Sequence, residues 1–76
     1  GSPCTIYPIP ASDKIYCLFD DSFRPTSVEI FGINGQKVRT QTLSTDNSID
    51  VSSLHGMYIL RLIGEKSTYN TKVIIQ

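Results

Sequence analysis

The only histidine of this 76-residue chain, His55, is the first residue to consider for catalysis. Ser52 and Ser53 precede it closely, and a histidine can activate a serine as a nucleophile. Such catalysis also requires an acidic residue that orients the histidine from a separate part of the chain, and this arrangement is missing. Because His55 lies in a turn beside Gly56, we interpret it as a loop residue and expect neither enzyme activity nor a small-molecule substrate.

Two pairs of residues suggest metal binding or a covalent link. Asp20 and Asp21 are adjacent carboxylates, but the spaced oxygen ligands and the glycine of a calcium loop are missing, so we expect a solvated loop. Cys4 and Cys17 have no His or Cys at zinc spacing. Each lies in an apolar run, which favours two buried free thiols, and a disulfide between the first two strands stays open. No metal or other cofactor is expected.

Four tyrosines provide the aromatic faces and hydroxyl groups that suit binding of carbohydrate or peptide. Tyr58 and Tyr69 fall on the apolar faces of their predicted strands, so we expect both to border the core. For Tyr7 and Tyr16 the alternation of side chains does not decide between the core and the surface.

Charge and length narrow the class of protein. Seven Lys and Arg against seven Asp and Glu give a formal net charge of zero, which argues against a nucleic-acid partner. No apolar run approaches the roughly 20 residues of a membrane-spanning helix. We interpret Gly1-Ser2 as a cloning remnant, and we expect residues 3–76 to form one small domain cut from a longer chain.

The rest of the chain is organised around a strand at 56–64, which lies between two glycines and which we predict to be the central strand. Side chains alternate along a strand, so Tyr58, Leu60 and Leu62 share one face while Arg61 lies on the other. The first face is apolar or aromatic throughout. We therefore predict that it faces the core and that the Arg61 face is open to solvent or a partner.

Six further strands are predicted at 4–7, 14–19, 27–33, 36–43, 48–51 and 68–76. Asn34-Gly35 separates two of them, and this pair predicts a type I′ hairpin turn with positive φ at both residues. On the strand that returns from this turn, Val38 is predicted to face the core of the domain. Seven short strands with Gly, Pro, Asn, Asp and Ser between them indicate an all-β fold, an antiparallel β-sandwich of about seven strands, in preference to a barrel.

Four blocks of the chain, in this order, resemble the type A C-terminal sorting domain of the type IX (Por) secretion system of Bacteroidetes. The blocks are 6–14 with Tyr7-Pro8-Ile9-Pro10, 28–38 with Asn34-Gly35-Gln36-Lys37-Val38, 49–62 with Gly56-Met57-Tyr58, and 72–76, Lys72-Val73-Ile74-Ile75-Gln76. Three turns depart from the family's pattern. Ile9 replaces an Asn, Gly32 stands where Asp or Asn is common, and the link Leu54-His55-Gly56 is one residue shorter.

The resemblance implies an immunoglobulin-like sandwich that directs a cargo protein through the outer-membrane type IX translocon. In most members a cell-surface sortase then removes the domain and attaches the cargo to the surface; other members keep it. The cargo would pass through the periplasm and end at the outer-membrane surface or outside the cell. The residues implied in translocon recognition are Gly56, Tyr58, Arg61, Lys72, Val73, Ile74, Ile75 and Gln76.

A mechanism for such an address is strand addition at the C-terminal hairpin, 57–76. A last strand with unpaired backbone groups can pair with a partner strand, while Arg61 and Lys72 add positive charge. The same edge allows a homodimer. The rival interpretation is an immunoglobulin-like adhesion or carbohydrate-binding module of a secreted protein, which the fold alone permits equally.

Overall fold

The computed structural model describes residues 4–76, in which every regular element is a β-strand. The strands are β1 (Cys4–Tyr7), β2 (Lys14–Phe19), β3 (Pro25–Gly32), β4 (Lys37–Thr42), β5 (Ser48–Asp50), β6 (Gly56–Gly64) and β7 (Thr68–Ile75). Gly1-Ser2, interpreted above as a cloning remnant, lies outside the described residues. The described part of the chain contains no helix that is long and apolar enough to cross a membrane.

The strands form two antiparallel sheets, as the sequence predicts. One sheet has three strands in the order β1-β2-β5, and the other has four in the order β4-β3-β6-β7. The strand at Gly56–Gly64 is therefore an inner strand, paired with β3 on one side and β7 on the other. Strands β4 and β7 are the edges of the larger sheet.

The core lies between the two sheets, where alternate residues of the strands meet. Leu60 and Leu62 of β6 are fully buried, and Tyr58 on the same face is partly buried at the border of the core. Arg61 is exposed on the opposite face. The division of β6 into a core face and an open face is therefore confirmed. The other buried apolar residues are Cys4, Ala11, Ile15, Cys17, Phe23, Val28, Ile30, Ile49, Val51, Val73 and Ile75.

The turn at Asn34-Gly35 differs from the predicted type I′ turn. Gly35 has a φ of 88°, but Asn34 is not in the positive-φ region. The amide of Gly35 donates to the carbonyl oxygen of Gly32 (2.9 Å), and the amide of Gly32 donates to the carbonyl oxygen of Gln36 (2.8 Å). This is a three-residue loop in which only the last residue is left-handed, the next most common hairpin after the two-residue types.

The prediction that Val38 faces the core is wrong. Ile30 pairs with Arg39 and the next residue, Phe31, pairs with Lys37, so Val38 is the extra residue of a β-bulge. An extra residue shifts the alternation of the strand by one, which moves a side chain to the other face. Val38 is consequently 48% exposed, and Arg39 is partly buried.

Candidate recognition site

Strands β6 and β7 form a ribbon whose second strand is an edge of the larger sheet. Strand β6 is paired with β7 from Gly56 opposite Ile75 to Ile63 opposite Thr68. Backbone groups alternate in direction along a strand, so every second residue of β7 directs its N–H and C=O away from β6. Hydrogen bonds from Ala11 to Ile74 and from Gln76 to Ala11 show that the even-numbered residues are the outward ones. Asn70 and Lys72 therefore offer backbone groups at the open edge.

One end of this edge is closed by a contact that we call the Ala11 clasp. The amide of Ala11 donates to the carbonyl oxygen of Ile74 (2.9 Å), and the amide of Gln76 donates to the carbonyl oxygen of Ala11 (2.7 Å). Ala11 runs parallel to β7 at this point, opposite Ile75, and is itself buried. The outward carbonyl group of Ile74 and the outward amide of Gln76 are thus already paired within the chain, and the stretch of the edge without such a contact is residues 68–73.

The face of the ribbon that points away from the core is partly apolar. Met57, Ile59 and Ile74 are 44%, 37% and 42% exposed. Met57 pairs with Ile74, and Ile59 pairs with Lys72. Lys72 therefore lies directly beside exposed aliphatic side chains. We call Met57, Ile59, Arg61, Lys72 and Ile74 the outer face of the ribbon.

Positive charge dominates on this side of the larger sheet. Glu29 on β3 lies 3.3 Å from the ammonium group of Lys37 and 3.6 Å from the guanidinium group of Arg61. Within residues 4–76, Lys72 has no carboxylate within ion-pair distance. One acidic residue is thus shared by two cations, while Lys72 is left free to meet an external anion.

The residues that the resemblance implies for recognition separate into two groups in the structure. The side chains of Arg61, Lys72, Ile74 and Gln76 are exposed, whereas those of Val73 and Ile75 are buried in the core. Tyr58 also points inward. Gly56 begins β6 with a φ of 106°, a conformation that side chains rarely adopt. Only the exposed group is placed for direct contact with a partner.

The candidates for catalysis and metal binding lie apart from one another. His55 is exposed in the loop before β6. Asp20 and Asp21 lie in the turn after β2, where Asp21 pairs with Arg24 (2.5 Å). Among residues 4–76 no three His, Cys, Asp or Glu side chains converge on a possible metal position.

The two cysteines are free thiols buried under the smaller sheet. They lie diagonally across neighbouring strands, because Cys4 pairs with Phe19 while Ile6 pairs with Cys17. Burial raises the pKa of both thiols, and for Cys17, which also adjoins Cys4, the pKa rises to about 12. Thiolate is the reactive form, so neither cysteine is an activated nucleophile.

The four tyrosines also separate. Tyr58 and Tyr69 are partly buried against the core, as predicted, and Tyr69 contacts the edge of Phe23 with ring centroids 6.4 Å apart. Tyr7 and Tyr16, which the sequence left open, stack on each other with ring centroids 5.7 Å apart. Tyr7 is exposed and Tyr16 is partly buried, so this pair lies at the surface of the smaller sheet.

A shallow groove of about 550 Å³ opens at the turn end of the ribbon, away from the Ala11 clasp. It lies between the loop after β2 and the β6–β7 turn, with Phe23 and Gly64 among its lining residues. Phe23 packs closely against the backbone of Gly64, because a β-carbon on Gly64 would lie 3.1 Å from the Phe23 ring. The groove is open to solvent. Its Asp21 and Arg24 side chains form an ion pair with each other, so neither charge is left for a ligand.

Sequence reasoning missed a repeated local motif that shapes three of the loops. In each, an aspartate accepts hydrogen bonds from the amide and the hydroxyl of a serine two residues later. The pairs are Asp20 with Ser22, Asp46 with Ser48, and Asp50 with Ser52. These bonds lower the pKa of all three carboxyls. The signal was available as Asp-x-Ser spacing, a typical side-chain mimic of a turn.

A family model described as "Secretion system C-terminal sorting domain" matches residues 5–76, which is nearly the whole chain. No curated protein matches it.

Proposed function

This chain belongs to the secretion system C-terminal sorting domain family, and on that premise we propose that its β6–β7 ribbon is the surface that the type IX machinery reads. The domain is a C-terminal sorting signal of type IX secretion. The family of such sorting domains is not a catalytic one. A sorting signal must offer a surface that a receptor can bind while the domain is folded. The open edge of β7 is the observation that carries the proposal.

Two features of the ribbon support this choice. First, residues 68–73 of β7 have a strand neighbour on one side only, so their outward backbone groups are available for strand addition. Second, the outer face of the ribbon combines exposed aliphatic side chains with Arg61 and Lys72. Backbone pairing provides affinity in such a complex, and neighbouring side chains provide selectivity.

The buried members of the implied set have a different role in this proposal. Val73 and Ile75 anchor β7 to the core, and Tyr58 packs at the border of the core. They hold the edge in place for Lys72 and Ile74 to meet the partner. Loss of the buried residues would therefore reduce recognition through loss of the fold.

The family supports a fuller route for the cargo. We infer that the domain crosses the periplasm attached to its cargo and engages the outer-membrane translocon. A cell-surface sortase then removes the domain, and the cargo is left at the outer-membrane surface or released. We infer no enzymatic role for the domain itself. The family match favours this interpretation over an adhesion or carbohydrate-binding module.

The same edge provides a route to a homodimer, because two β7 strands can pair across a two-fold axis into one continuous sheet. Pairing of two copies and binding of a receptor strand would use the same backbone groups. In this proposal the two events exclude each other, and the monomer is the form that the translocon binds.

Export of a reporter tests the proposed function directly. Residues 4–76 are appended to a periplasmic reporter in a type IX-competent bacterium, and the reporter on the cell surface or in the medium is measured. We expect export with the intact domain and none with an unrelated β-sandwich of similar size. Export of both reporters, or of neither, would contradict the proposal.

A deletion of 72–76 should also abolish export, but it removes the buried Val73 and Ile75 as well as the exposed Lys72. Undiminished secretion after this deletion would exclude the end of β7 from the mechanism. Loss of secretion needs a folding control, for which circular dichroism of the purified domain is sufficient.

A further inference from the structure

The surface around the open edge of β7 is positively charged, although the chain as a whole is neutral. The chain has a formal net charge of zero. On the outer side of the larger sheet, cross-strand pairing places Lys37, Glu29 and Arg61 together, and Lys72 lies beyond them on β7. Three cations thus face one carboxylate, so a partner that brings an anion to this side is favoured.

Lys72 is the cation best placed to meet that anion. Its neighbour across the ribbon is Ile59, and no carboxylate of residues 4–76 lies within ion-pair distance of it. Its own backbone N–H and C=O point outward along the open edge. A strand that pairs with β7 here would place a side chain beside Lys72 at the spacing of a cross-strand pair, where opposite charges stabilise the sheet.

The Ala11 clasp limits where such a strand can lie. Ala11 occupies the position opposite Ile75 and bonds both flanking backbone groups, those of Ile74 and Gln76. An added strand must therefore stop before the clasp and pair with residues 68–73. This leaves Thr68, Asn70 and Lys72 as the residues whose outward backbone groups define the register.

We propose that the receptor of this domain presents a β-strand that adds to residues 68–73 of β7 and places a carboxylate side chain beside Lys72. This inference rests on the proposed function and names the chemistry of its partner. The exposed Ile59 and Ile74 flank Lys72, so aliphatic side chains near the carboxylate complete the complementarity. The receptor segment is thus an acidic strand with apolar neighbours.

Charge substitutions in the reporter fusion test the carboxylate. We expect Lys72→Glu to reduce export at least tenfold, Lys72→Gln to reduce it severalfold, and Lys72→Arg to retain it. Lys66→Glu is the matched control, because Lys66 is also exposed, lies in the β6–β7 turn and gives the same change in net charge. If the Lys72→Glu fusion is exported at the level of the parent, the proposal of an acidic partner is wrong, whereas the proposed sorting function still holds.

Proline substitutions test strand addition. Asn70→Pro removes an outward N–H of the open edge without removing a bond to β6, since proline is tolerated on edge strands. Thr40→Pro is the matched control on the opposite edge. The amide of Leu43 donates to the carbonyl oxygen of Thr26 on β3. By alternation, Thr40 therefore directs its N–H away from β3, toward solvent. We expect a tenfold or greater loss of export for Asn70→Pro and less than a twofold change for Thr40→Pro.

The two series together separate the possible partners. Loss of export with Lys72→Glu but not with Asn70→Pro would mean that the positive face binds an anionic surface, such as a membrane, without strand addition, and would overturn the proposal. Each variant domain is purified, and its thermal unfolding must match the parent. If Asn70→Pro does not fold, Thr68→Pro takes its place, because Thr68 is also an exposed, even-numbered residue of the open edge and directs its N–H outward.

Discussion

Cys17 shows how the surroundings of a buried residue change its chemistry. The residue is 4% exposed and lies in the core, where its thiol is beside that of Cys4. The sequence indicated a buried thiol from the apolar run around it, and the structure adds the thiol of a neighbouring strand as a second cause of its raised pKa. Both effects favour the protonated thiol, which is the unreactive form.

We expect Cys17 to resist alkylation in the folded domain. A rise of the pKa from 9.0 to about 12 lowers the thiolate fraction at pH 8 about a thousandfold. Pulse labelling with iodoacetamide, followed by mass spectrometry, should show slow modification in buffer and rapid modification in denaturant. Mapping of the labelled peptides separates the signal of Cys17 from that of Cys4. Rapid labelling in buffer would show that the core around Cys17 opens frequently.

The three Asp-x-Ser turns predict how stability depends on pH. Hydrogen bonds from the serines lower the pKa of Asp20, Asp46 and Asp50 in the folded state, so the unfolded chain binds protons more readily. The stabilisation is complete above the unfolded pKa of about 4 and is lost as the pH falls through the folded pKa. The denaturation midpoint should therefore stay constant from about pH 5 to 7 and fall below about pH 4.

Substitution of these aspartates by asparagine provides the control for that experiment. Asparagine keeps an acceptor oxygen but cannot titrate, so the triple variant should lose less stability on acidification than the parent. Equal acid sensitivity of the two proteins would assign the effect to other carboxylates.

At the level of elements, β4 differs most from its prediction, because a bulge is not visible in the hydrophobic pattern. Val38 was placed in the core by alternation from the turn, yet the bulge puts it at the surface and brings Arg39 inward. In β6 the same reasoning succeeded, because this strand pairs with β7 without interruption over its length. Alternation predicts faces correctly only where the ladder is regular.

Substitutions in β3 and β4 measure this difference. Val38→Lys should change the free energy of unfolding by less than about 0.5 kcal/mol, because it exchanges one exposed side chain for another. Ile30→Ala should cost about 2–5 kcal/mol, since Ile30 is fully buried. Denaturant titration of both variants provides the measurement. A large loss for Val38→Lys would place Val38 in the core after all.

At the level of the whole molecule, a long side chain links the two sheets in addition to the apolar packing and the Ala11 clasp. Arg39 of β4 donates to the carbonyl oxygen of Asp50 at the end of β5 (2.8 Å) and to the hydroxyl of Ser53. It thus connects the larger sheet to the smaller one. No local signal in the sequence links Arg39 to Asp50 or Ser53, so sequence reasoning did not predict this bridge.

Loss of this bridge should destabilise the domain measurably. Arg39→Ala removes charge-assisted hydrogen bonds at a partly buried position and should cost about 1–2 kcal/mol. Lys37→Ala is the matched control on the same strand, because it removes only a partly exposed ion pair with Glu29 and should cost less than about 1 kcal/mol. Equal effects, measured by urea unfolding, would show that the link between sheets contributes nothing particular.

The fold and the identity of the inner strand were predictable because they depend on local patterns: alternation, turn residues and the four family blocks. The candidate site was predictable only in part. The sequence indicated the last strand and Lys72, but the Ala11 clasp joins two distant segments by backbone atoms, and side-chain patterns do not record such a contact.

The clasp also has a kinetic consequence. It closes a loop that includes nearly the whole domain, from Ala11 to Gln76. Contacts between segments so far apart in sequence carry the largest loop-closure entropy, and all-β proteins dominated by them fold in milliseconds to seconds. We therefore expect the clasp to form late in folding. Until then the final strand exposes its full length, so newly made chains are most prone to pair with one another before this contact has formed.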